Sequence, residues 1–311
     1  MTSEDTSSAI PAEFTRIRLD LGYDGTDFAG WAKQPGLRTV QEVLESAAHQ
    51  TFGYQGDPIR LTVAGRTDAG VHAEAQVAHL DLTPERVERM RRARTSDGNP
   101  EPDVAHALLR RINGVLGLHS DVWLHSARVV DAGFNARFSA LSRSYRYRIA
   151  DAQAWKDPLS RRTTLWYPRP LSLEVLDRTA ASLVGLHDFA GFCRPRVGAT
   201  TIRNLTDFRW RRDTDGVLIA ELSADAFCHS MVRSLVGVCI AMSVESLPAD
   251  AIAGLLQATK RGHSNGFATA PAHGLSLTNV EYPEDSLLAA RAELTRQRRE
   301  STTPMPGEPG Y

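Results

Sequence analysis

A short loop in the first quarter of the chain groups three side chains that could do chemistry. Between Gly65 and Gly70 the sequence places a guanidinium (Arg66), a hydroxyl (Thr67) and a carboxylate (Asp68). The two glycines permit a tight loop with close backbone approach, and loops held by a rigid sheet are a usual place for catalytic groups. The pattern is typical of a catalytic loop that presents an acid beside a cation.

The same residue types also fit structural roles. Asp68 could close an Asx-turn through hydrogen bonds to its own loop, or it could form an ion pair with Arg66 that only orders the loop. Tyr145 and Tyr147 alternate on a later strand-like run, and alternating tyrosines are commonly cross-strand aromatics of a core. The residues alone leave the catalytic and the structural interpretations open.

Other motifs with a known chemistry are missing or lack their context. The sequence has no GxxxxGK[ST] loop and no GxGxxG, which argues against nucleotide hydrolysis and dinucleotide binding. Residues 262–266 fit the GxSxG elbow, but the strand before it and the helix after it are missing. Five histidines show neither HExxH spacing nor a nearby cysteine pair, so no metal site is expected; they are His72, His79, His106, His119 and His125.

The bulk composition is that of a globular protein. Of the 311 residues, 42% are hydrophobic and 23% are charged, which is enough for a sizeable core. Three cysteines are too few for a disulfide framework, so we expect reduced thiols and a cytoplasmic location. Residues 1–13 contain no secretory signal, and the longest apolar run, 235–244, is too short to cross a bilayer.

Charge is balanced over the whole chain but not locally. The net charge is −1, which on its own argues against a nucleic-acid partner. Residues 134–169, however, carry eight basic side chains against two acidic ones, which fits either selective phosphate contact or a solvated arginine-rich surface. The eight are Arg137, Arg143, Arg146, Arg148, Lys156, Arg161, Arg162 and Arg169, and the two are Asp151 and Asp157.

The elements that must hold the loop follow the order β-α-β-β-α-β in the first half of the chain. Alternating apolar residues predict strands, apolar residues at helical spacing predict helices, and Thr39-Val-Gln-Glu42 is a capping box that begins the first helix. The predicted strands are 16–23, 59–63, a run that ends near Leu82, and 122–129, and the second helix spans 104–116. This order is ferredoxin-like, with helices backing one antiparallel sheet.

The second half repeats this plan without detectable sequence similarity. Tyr145 to Ile149 alternates as a strand, Asp213-Thr-Asp-Gly216 is a hairpin turn between runs 208–212 and 217–222, and an apolar helix spans 230–244. A further helix beginning near Ser172 presents one apolar face, formed by Leu173, Leu176, Ala180 and Val184.

We therefore predict an α+β fold of two ferredoxin-like halves. The first half comprises residues 14–133, with the loop at 65–72, and the second comprises residues 134–283. The terminal segments 1–13 and 284–311 are expected to be disordered or loosely docked. Residues 91–102 are rich in Arg, Pro, Gly and Asp and are predicted to form an exposed loop insertion.

The loop also carries a family resemblance. Gly65-Arg-Thr-Asp-Ala-Gly-Val-His72 closely resembles the signature of the TruA family of pseudouridine synthases, and other segments resemble the family pattern in the expected order. The resemblance covers about residues 14–283. The further segments are 22–25, 28–31, Gln34, 39–41, 134–139, 144–147, 187–189, 226–233 and 274–275.

The resemblance implies a cofactor-free isomerase that acts on the anticodon stem-loop of tRNA. Such an enzyme converts uridines at positions 38 to 40 to pseudouridine by breaking the C1′–N1 bond, rotating the uracil and rejoining it through C5. Family members usually form homodimers, and their sheets are antiparallel and flanked by helices. The chemistry needs a nucleophile, and by resemblance Asp68 is that group.

The resemblance also implies roles for neighbouring residues. Tyr145 would stack on the extruded base, and its hydroxyl would help to remove the C5 proton, while Arg233 would pair with Asp68. Arg66 would enter the RNA helix as the base leaves. Thr67 and Leu275 would contact the substrate, with Leu275 packing against the base.

RNA contacts are also implied for the segment from Phe134 through Asn135, Ala136 and Arg137 to Phe138. Asn135 stands where family members often have histidine, and an amide still donates and accepts hydrogen bonds. Two other functions remain open: a non-catalytic RNA-binding protein, because ferredoxin-like sheets with exposed aromatics bind RNA, and a hydrolase that uses Asp68 on another substrate.

Overall fold

A computed structural model describes residues 14–92, 103–194, 200–258 and 266–300. The described chain is a mixed α+β protein built around one large, mostly antiparallel sheet flanked by helices. In chain order the elements are β1 (Thr15–Tyr23), α1 (Val40–Gln50), β2 (Thr62–Val63), β3 (His72–Leu82), α2 (Pro84–Arg91), α3 (Val104–Leu116), β4 (Val122–Val130), β5 (Ser142–Ala150), β6 (Leu165–Trp166), α4 (Leu173–Ala181), β7 (Gly185–Asp188), β8 (Ile202–Arg212), β9 (Leu218–Ala224), α5 (Met231–Ser243), α6 (Ala251–Gln257), β10 (Leu275–Glu281) and α7 (Leu288–Glu300).

The strand order of the sheet is β4-β1-β3-β10-β5-β9-β8-β7, with β2 beside β3 and β6 beside β5. The pairings β3–β10 and β5–β6 are parallel, and the others are antiparallel. Helix α1 packs on α3 and α3 on β4, while α4 packs on β8 and α5. No helix in these described ranges has the length and apolarity to cross a bilayer.

Strand β10 joins the two halves of the sequence. Its residue Leu277 pairs in parallel with Ala73 of β3 and antiparallel with Tyr145 of β5. The loop with Asp68 runs directly into β3, so this strand brings the loop close to Tyr145. The sequence analysis did not identify β10, because its place in the sheet depends on partners about 130 and 200 residues away.

Several predicted elements are confirmed with small shifts in their bounds. Strands β1, β4 and β5 and helices α3 and α5 lie where the periodicity predicts them. Helix α1 begins as expected, since the Thr39 hydroxyl accepts a hydrogen bond from the Glu42 N–H at 3.3 Å. The Asp213–Gly216 turn joins β8 and β9, although β8 begins at Ile202 rather than Phe208.

Two predicted elements are shorter than expected. The strand expected over 59–63 is limited to β2, because the Leu61 N–H donates to the buried Glu45 carboxylate at 2.9 Å instead of to a neighbouring strand. Helix α4 ends at Ala181, and Val184 lies beyond it and is exposed. The reason is that Gly185 has a φ of +126° and starts β7.

Part of the C-terminal segment, which was expected to be disordered or loosely docked, is helical. Helix α7 occupies 288–300 and buries Leu288 and Ala292, so this part of the segment is not disordered. Helix α2 was also not predicted. It includes Arg91 of the expected 91–102 insertion, of which residues 93–102 lie outside the described residues, as do 1–13 and 301–311.

The three cysteines lie in two places. Cys193 and Cys228 are neighbours in the fold, with their Cα atoms 5.8 Å apart, a separation that would allow a disulfide. The fold brings them together because the Arg194 N–H donates to the His229 carbonyl at 3.1 Å. Cys239 is free and buried in α5, and the expectation of reduced thiols stays a prediction for the other two.

Asp151 lies at the core side of the long connection between β5 and α4. It is fully buried. Its carboxylate accepts hydrogen bonds from both terminal nitrogens of Arg212 at 3.0 Å and from the backbone N–H groups of Leu171 and Gln153. Burial by itself raises the pKa of Asp151, but the bond from Arg212 and then the two backbone bonds outweigh it, so the pKa is held below its ordinary value. Asp151 is thus an internal clamp and not a surface charge opposing the basic run.

We predict that Asp151→Asn destabilises the fold by about 3 kcal/mol at pH 7, because one member of a buried ion pair is lost. The folded-state pKa is depressed, so the stabilisation is complete above the ordinary Asp pKa of about 3.9 and is lost as pH falls through the folded value. Urea unfolding from pH 7 to pH 3 should show the two proteins converging below about pH 4. The control Asp207→Asn removes an exposed partner of Arg209 and should cost at most about 1 kcal/mol; equal stability of Asp151→Asn and the parent at pH 7 would refute the clamp.

Candidate active site

The loop that carries Asp68 is held by the segment 28–31. The Trp31 N–H donates to the Thr67 carbonyl at 3.1 Å, and the Gly70 N–H donates to the Phe28 carbonyl at 3.2 Å. Gly30 has a φ of +95°, and a Cβ there would lie 2.9 Å from the Thr67 oxygen. Only glycine therefore allows the two backbones to approach this closely.

Thr67 faces away from solvent. Its hydroxyl is 2.8 Å from the Tyr23 hydroxyl, and Gln76 donates to Tyr23 at 3.3 Å and to the Gly65 carbonyl at 2.9 Å. Burial, opposed by the bonds to Thr67 and Gln76, raises the pKa of Tyr23 to about 12, so this network stays neutral at pH 7. The Thr67 side chain is buried and serves to hold the loop, and its contact with substrate stays a prediction.

The Asp68 carboxylate is contacted by groups at the beginning of α5. Its Oδ2 accepts a hydrogen bond from Ser230 Oγ at 3.0 Å and one from an Arg233 terminal nitrogen at 3.4 Å. Its Oδ1 lies 3.5 Å from His229 Nε2. The expected pairing of Asp68 with Arg233 is confirmed, and about a quarter of the Asp68 side chain is exposed, which leaves it accessible.

The two structural interpretations of the loop are not supported. In the described chain, Asp68 makes its side-chain contacts with residues more than 160 positions away rather than with its own loop. Arg66 is exposed and forms no ion pair with Asp68 among these residues. The carboxylate is therefore free of its own loop and is held by groups at the beginning of α5, in the second half of the chain.

Arg233 is itself fixed in place. Its Nε donates to the Ala270 carbonyl at 2.7 Å, and its own carbonyl accepts from the Ala270 N–H at 3.0 Å. These bonds tie α5 to the segment that leads into β10. The guanidinium has only one terminal nitrogen near Asp68, at the longer distance of 3.4 Å.

Tyr145 lies on the same face of the sheet as its cross-strand neighbours Leu222 and Leu277. The ring is 8% exposed and packs edge-on against Phe227, with the centroids 5.1 Å apart. Burial is the main cause that raises the pKa of Tyr145. Tyr23 and Asp68 raise it further, and the positive charge of Arg143 opposes them. The phenol thus keeps its proton at neutral pH.

Tyr147 is a core residue, as the structural interpretation of the alternating pair expects. It is fully buried, and its hydroxyl donates to the Pro271 carbonyl at 2.8 Å. Leu275 lies directly opposite Tyr147 and is 4% exposed, while Leu277 is the residue opposite Tyr145. Contact of Leu275 with a base stays a prediction.

Two of the five residues expected to touch RNA are internal. Phe134 and Ala136 are fully buried, and contact of this segment with RNA stays a prediction. Burial, with the nearby charge of Arg16, lowers the pKa of His79 to about 4, and Asp81 only partly offsets this. The neutral ring accepts a hydrogen bond from the Ala136 N–H at 3.1 Å. Asn135 accepts the N–H groups of Arg137 and Phe138 at 3.0 Å. Arg137 is exposed, and Asn135 and Phe138 are half-buried.

The basic run at 134–169 does not form one phosphate-binding stripe. Arg146 pairs with Glu74 at 3.1 Å, Arg148 lies 3.8 Å from Asp215, and Arg162 lies 3.5 Å from Asp24. These acidic partners come from elsewhere in the sequence, so counting charge along 134–169 missed them.

Arg143 has the most internal position of the eight. It is buried on β5, and it donates to the carbonyls of Asp225 at 2.8 Å, Ala64 at 2.9 Å and Arg137 at 2.7 Å. Sequence reasoning missed this role, because an arginine on a strand gives no signal for burial. Ser230 was missed for a related reason, since a serine before an apolar helix is typical of an ordinary N-cap.

The sequence is matched by known proteins. A family model described as tRNA pseudouridine synthase matches residues 22–108 and 179–283. The chain belongs to this family. The matched ranges include the loop with Asp68, helix α5 with Arg233, and β10, and the relatives described next extend over nearly the whole chain.

Curated relatives named tRNA pseudouridine synthase A occur in several bacteria. The protein of Leifsonia xyli subsp. xyli is 54% identical over 92% of this chain and 98% of its own length. The protein of Frankia casuarinae is 48% identical over 93% of this chain and 97% of its own length. The protein of Mycobacterium leprae is 45% identical over 93% of this chain and 97% of its own length.

In the described part of the chain, no group of three His, Cys, Asp or Glu side chains could hold a metal ion.

We predict that Arg143→Met lowers the free energy of unfolding by roughly 3 kcal/mol, because three carbonyls near or within the core lose their donor. Urea unfolding measures the change. Arg178→Met is the control, since Arg178 is exposed and pairs with Glu174 on the surface of α4; it should shift stability by less than about 0.5 kcal/mol. Equal effects of the two substitutions would mean that the Arg143 contacts contribute nothing specific.

Proposed function

We propose that this protein converts uridine to pseudouridine in tRNA, with Asp68 as the nucleophile. The observation that carries the proposal is the position of the Asp68 carboxylate. It is partly exposed and held by Ser230 and Arg233, and its loop runs into β3, which is separated from Tyr145 on β5 by the single strand β10. The names of the relatives support the substrate.

The reaction is an isomerisation, so it needs no oxidant, reductant or second substrate. The C1′–N1 bond breaks and a C1′–C5 bond forms, C5 loses its proton and N1 gains one. A carboxylate nucleophile can hold one fragment while the other turns. Tyr145 presents a neutral ring on which a neutral uracil can stack, and its hydroxyl is the protein group expected to assist at C5.

The finer parts of the proposal are the target and the assembly. We infer that the substrate is the anticodon stem-loop at positions 38 to 40, and that the protein acts as a homodimer. The exposed Arg66 and Arg137 lie on the two segments expected to meet RNA. A cytoplasmic location is also part of the proposal, because the tRNA substrate supported by the relatives' names is a cytoplasmic molecule in bacteria.

We also infer that residues 14–133 and 134–283 are two ferredoxin-like halves. Strand order supports this. The first half reads β4-β1-β3-β2, and the second reads β10-β5-β9-β8. The short strands β6 and β7 are left out, and the four remaining strands of each half are numbered 1 to 4 along the chain. Both halves then have the strand order 4-1-3-2, and in both a helix follows the first strand and the third strand.

The deciding experiment incubates the full chain with an unmodified tRNA transcript and no added cofactor. Pseudouridine at positions 38 to 40, at unchanged RNA mass, is the expected product. Binding without any product would favour a non-catalytic RNA-binding protein, and release of free uracil would favour a hydrolase. Pseudouridine at other positions would leave the reaction standing and overturn the anticodon assignment.

We predict that Asp68→Asn abolishes pseudouridine formation, since the amide keeps the shape of the side chain but not its nucleophilic charge. The affinity for the transcript should stay within about threefold, because phosphate contacts supply most RNA affinity. Filter binding and product analysis on the same samples separate the two effects. Turnover by this variant at a measurable rate would remove Asp68 from the nucleophile role.

We predict that Arg66→Ala loses most activity on uridines paired in the stem and less on mismatched ones. Extruding a paired base costs a few kcal/mol, and the cost is smaller when the base is mismatched; Arg66, two residues from Asp68 and exposed, could fill the vacated space. Single-turnover rates on matched and mismatched stem-loops test this, with Arg178→Ala as a distant control. An equal defect on both substrates would instead assign Arg66 to phosphate steering or loop order.

A further inference from the structure

Ser230 occupies the N-cap position of α5 but does not cap it. An N-cap serine ordinarily has an extended backbone and accepts a hydrogen bond from an N–H in the first turn. Ser230 instead has φ of 61° and ψ of 10°, and its side chain makes no capping bond. The hydroxyl is directed to Asp68 Oδ2, 3.0 Å away.

The backbone at this position is strained. A left-handed conformation costs a residue with a Cβ about 1–2 kcal/mol, and glycine or asparagine relieves most of it. Strain of this kind persists where the surroundings impose it, and it concentrates at functional sites. Ser230 is 7% exposed, so its hydroxyl is largely shielded from solvent.

Asp68 needs a second donor if one orientation is to be kept. Rotation of a carboxylate about its last torsion is soft, with no sharply preferred angle. The Arg233 contact is long, at 3.4 Å, and the Nε of that guanidinium is already committed to Ala270 at 2.7 Å. The 3.0 Å bond from Ser230 is the shorter of the two and approaches the same oxygen.

Oδ1 is left in a different environment. Oδ1 lies 3.5 Å from His229 Nε2, and this distance is too long for a strong hydrogen bond. The two oxygens of Asp68 are thus unequal: Oδ2 accepts from two donors, whereas Oδ1 has only this longer contact among the described side chains.

We propose that Ser230 is a positioning residue that fixes the rotation of the Asp68 carboxylate, so that Oδ2 is held and Oδ1 is presented to the substrate. The inference rests on the proposed function. Ser230 touches no reacting atom, and it acts by keeping the nucleophile within the narrow geometry that reaction requires.

The chain offers a matched set of substitutions. Ser230→Gly removes the hydroxyl and suits the left-handed backbone, so it does not add strain. Ser230→Asn also tolerates this backbone and restores an N–H donor. Glu245→Gly is the control, because Glu245 follows the other end of α5, is exposed and also has a positive φ, of 56°.

The experiment measures single-turnover release of the C5 hydrogen from tritium-labelled tRNA transcript, together with transcript Kd and thermal stability. Ser230→Gly should react roughly 10- to 100-fold more slowly, the loss expected for a misplacement of about 1 Å. Its Kd and Tm should stay near those of the parent. Ser230→Asn should recover part of the rate, and Glu245→Gly should react at the full rate.

The outcomes separate this inference from the proposed function. If the parent releases tritium and Ser230→Gly does so at the same rate, the positioning role is overturned and the function stands. A loss confined to Kd or Tm, or an absence of any recovery by Ser230→Asn, also overturns the positioning role. If the parent protein itself forms no pseudouridine, the proposed function fails, and this inference fails with it.

Discussion

The buried guanidinium of Arg143 connects the three segments from which the site is built. It donates to the carbonyl of Ala64, which begins the loop with Asp68, to that of Arg137, and to that of Asp225, which precedes Ser230. Burial lowers the pKa of Arg143, partly offset by nearby tyrosines and Asp225. Arginine starts so far above neutrality that the group remains charged. A charged donor makes strong bonds to backbone oxygens, so the spacing of the three segments follows from one side chain next to Tyr145 on β5.

Sequence patterns predicted the elements whose signals are local. The strand alternation of β1 and β5, the Thr39 cap of α1 and the apolar runs of α3 and α5 depend on neighbours within a few residues, and all are present. The resemblance also located Asp68 and Arg233, which the fold brings within 3.4 Å.

The rest depended on contacts between distant parts of the chain. Glu45 takes the Leu61 N–H and shortens β2, His79 accepts the Ala136 N–H and holds that segment inside, and Ser230 gives its hydroxyl to Asp68 rather than to α5. In each case a side chain replaces the partner that local rules assume, and no periodicity in the sequence reports such an exchange.

The central position of β10 has a consequence for how the protein is made. Among the strands of the described ranges it is the last along the chain, yet it lies between β3 and β5. A ribosome that synthesises the chain from its N-terminus releases both neighbours well before this strand emerges. Until then each half has an open strand edge, which is a template for pairing with other chains. Translation therefore passes through an interval in which both edges are exposed, and that interval ends only after residue 281 leaves the exit tunnel.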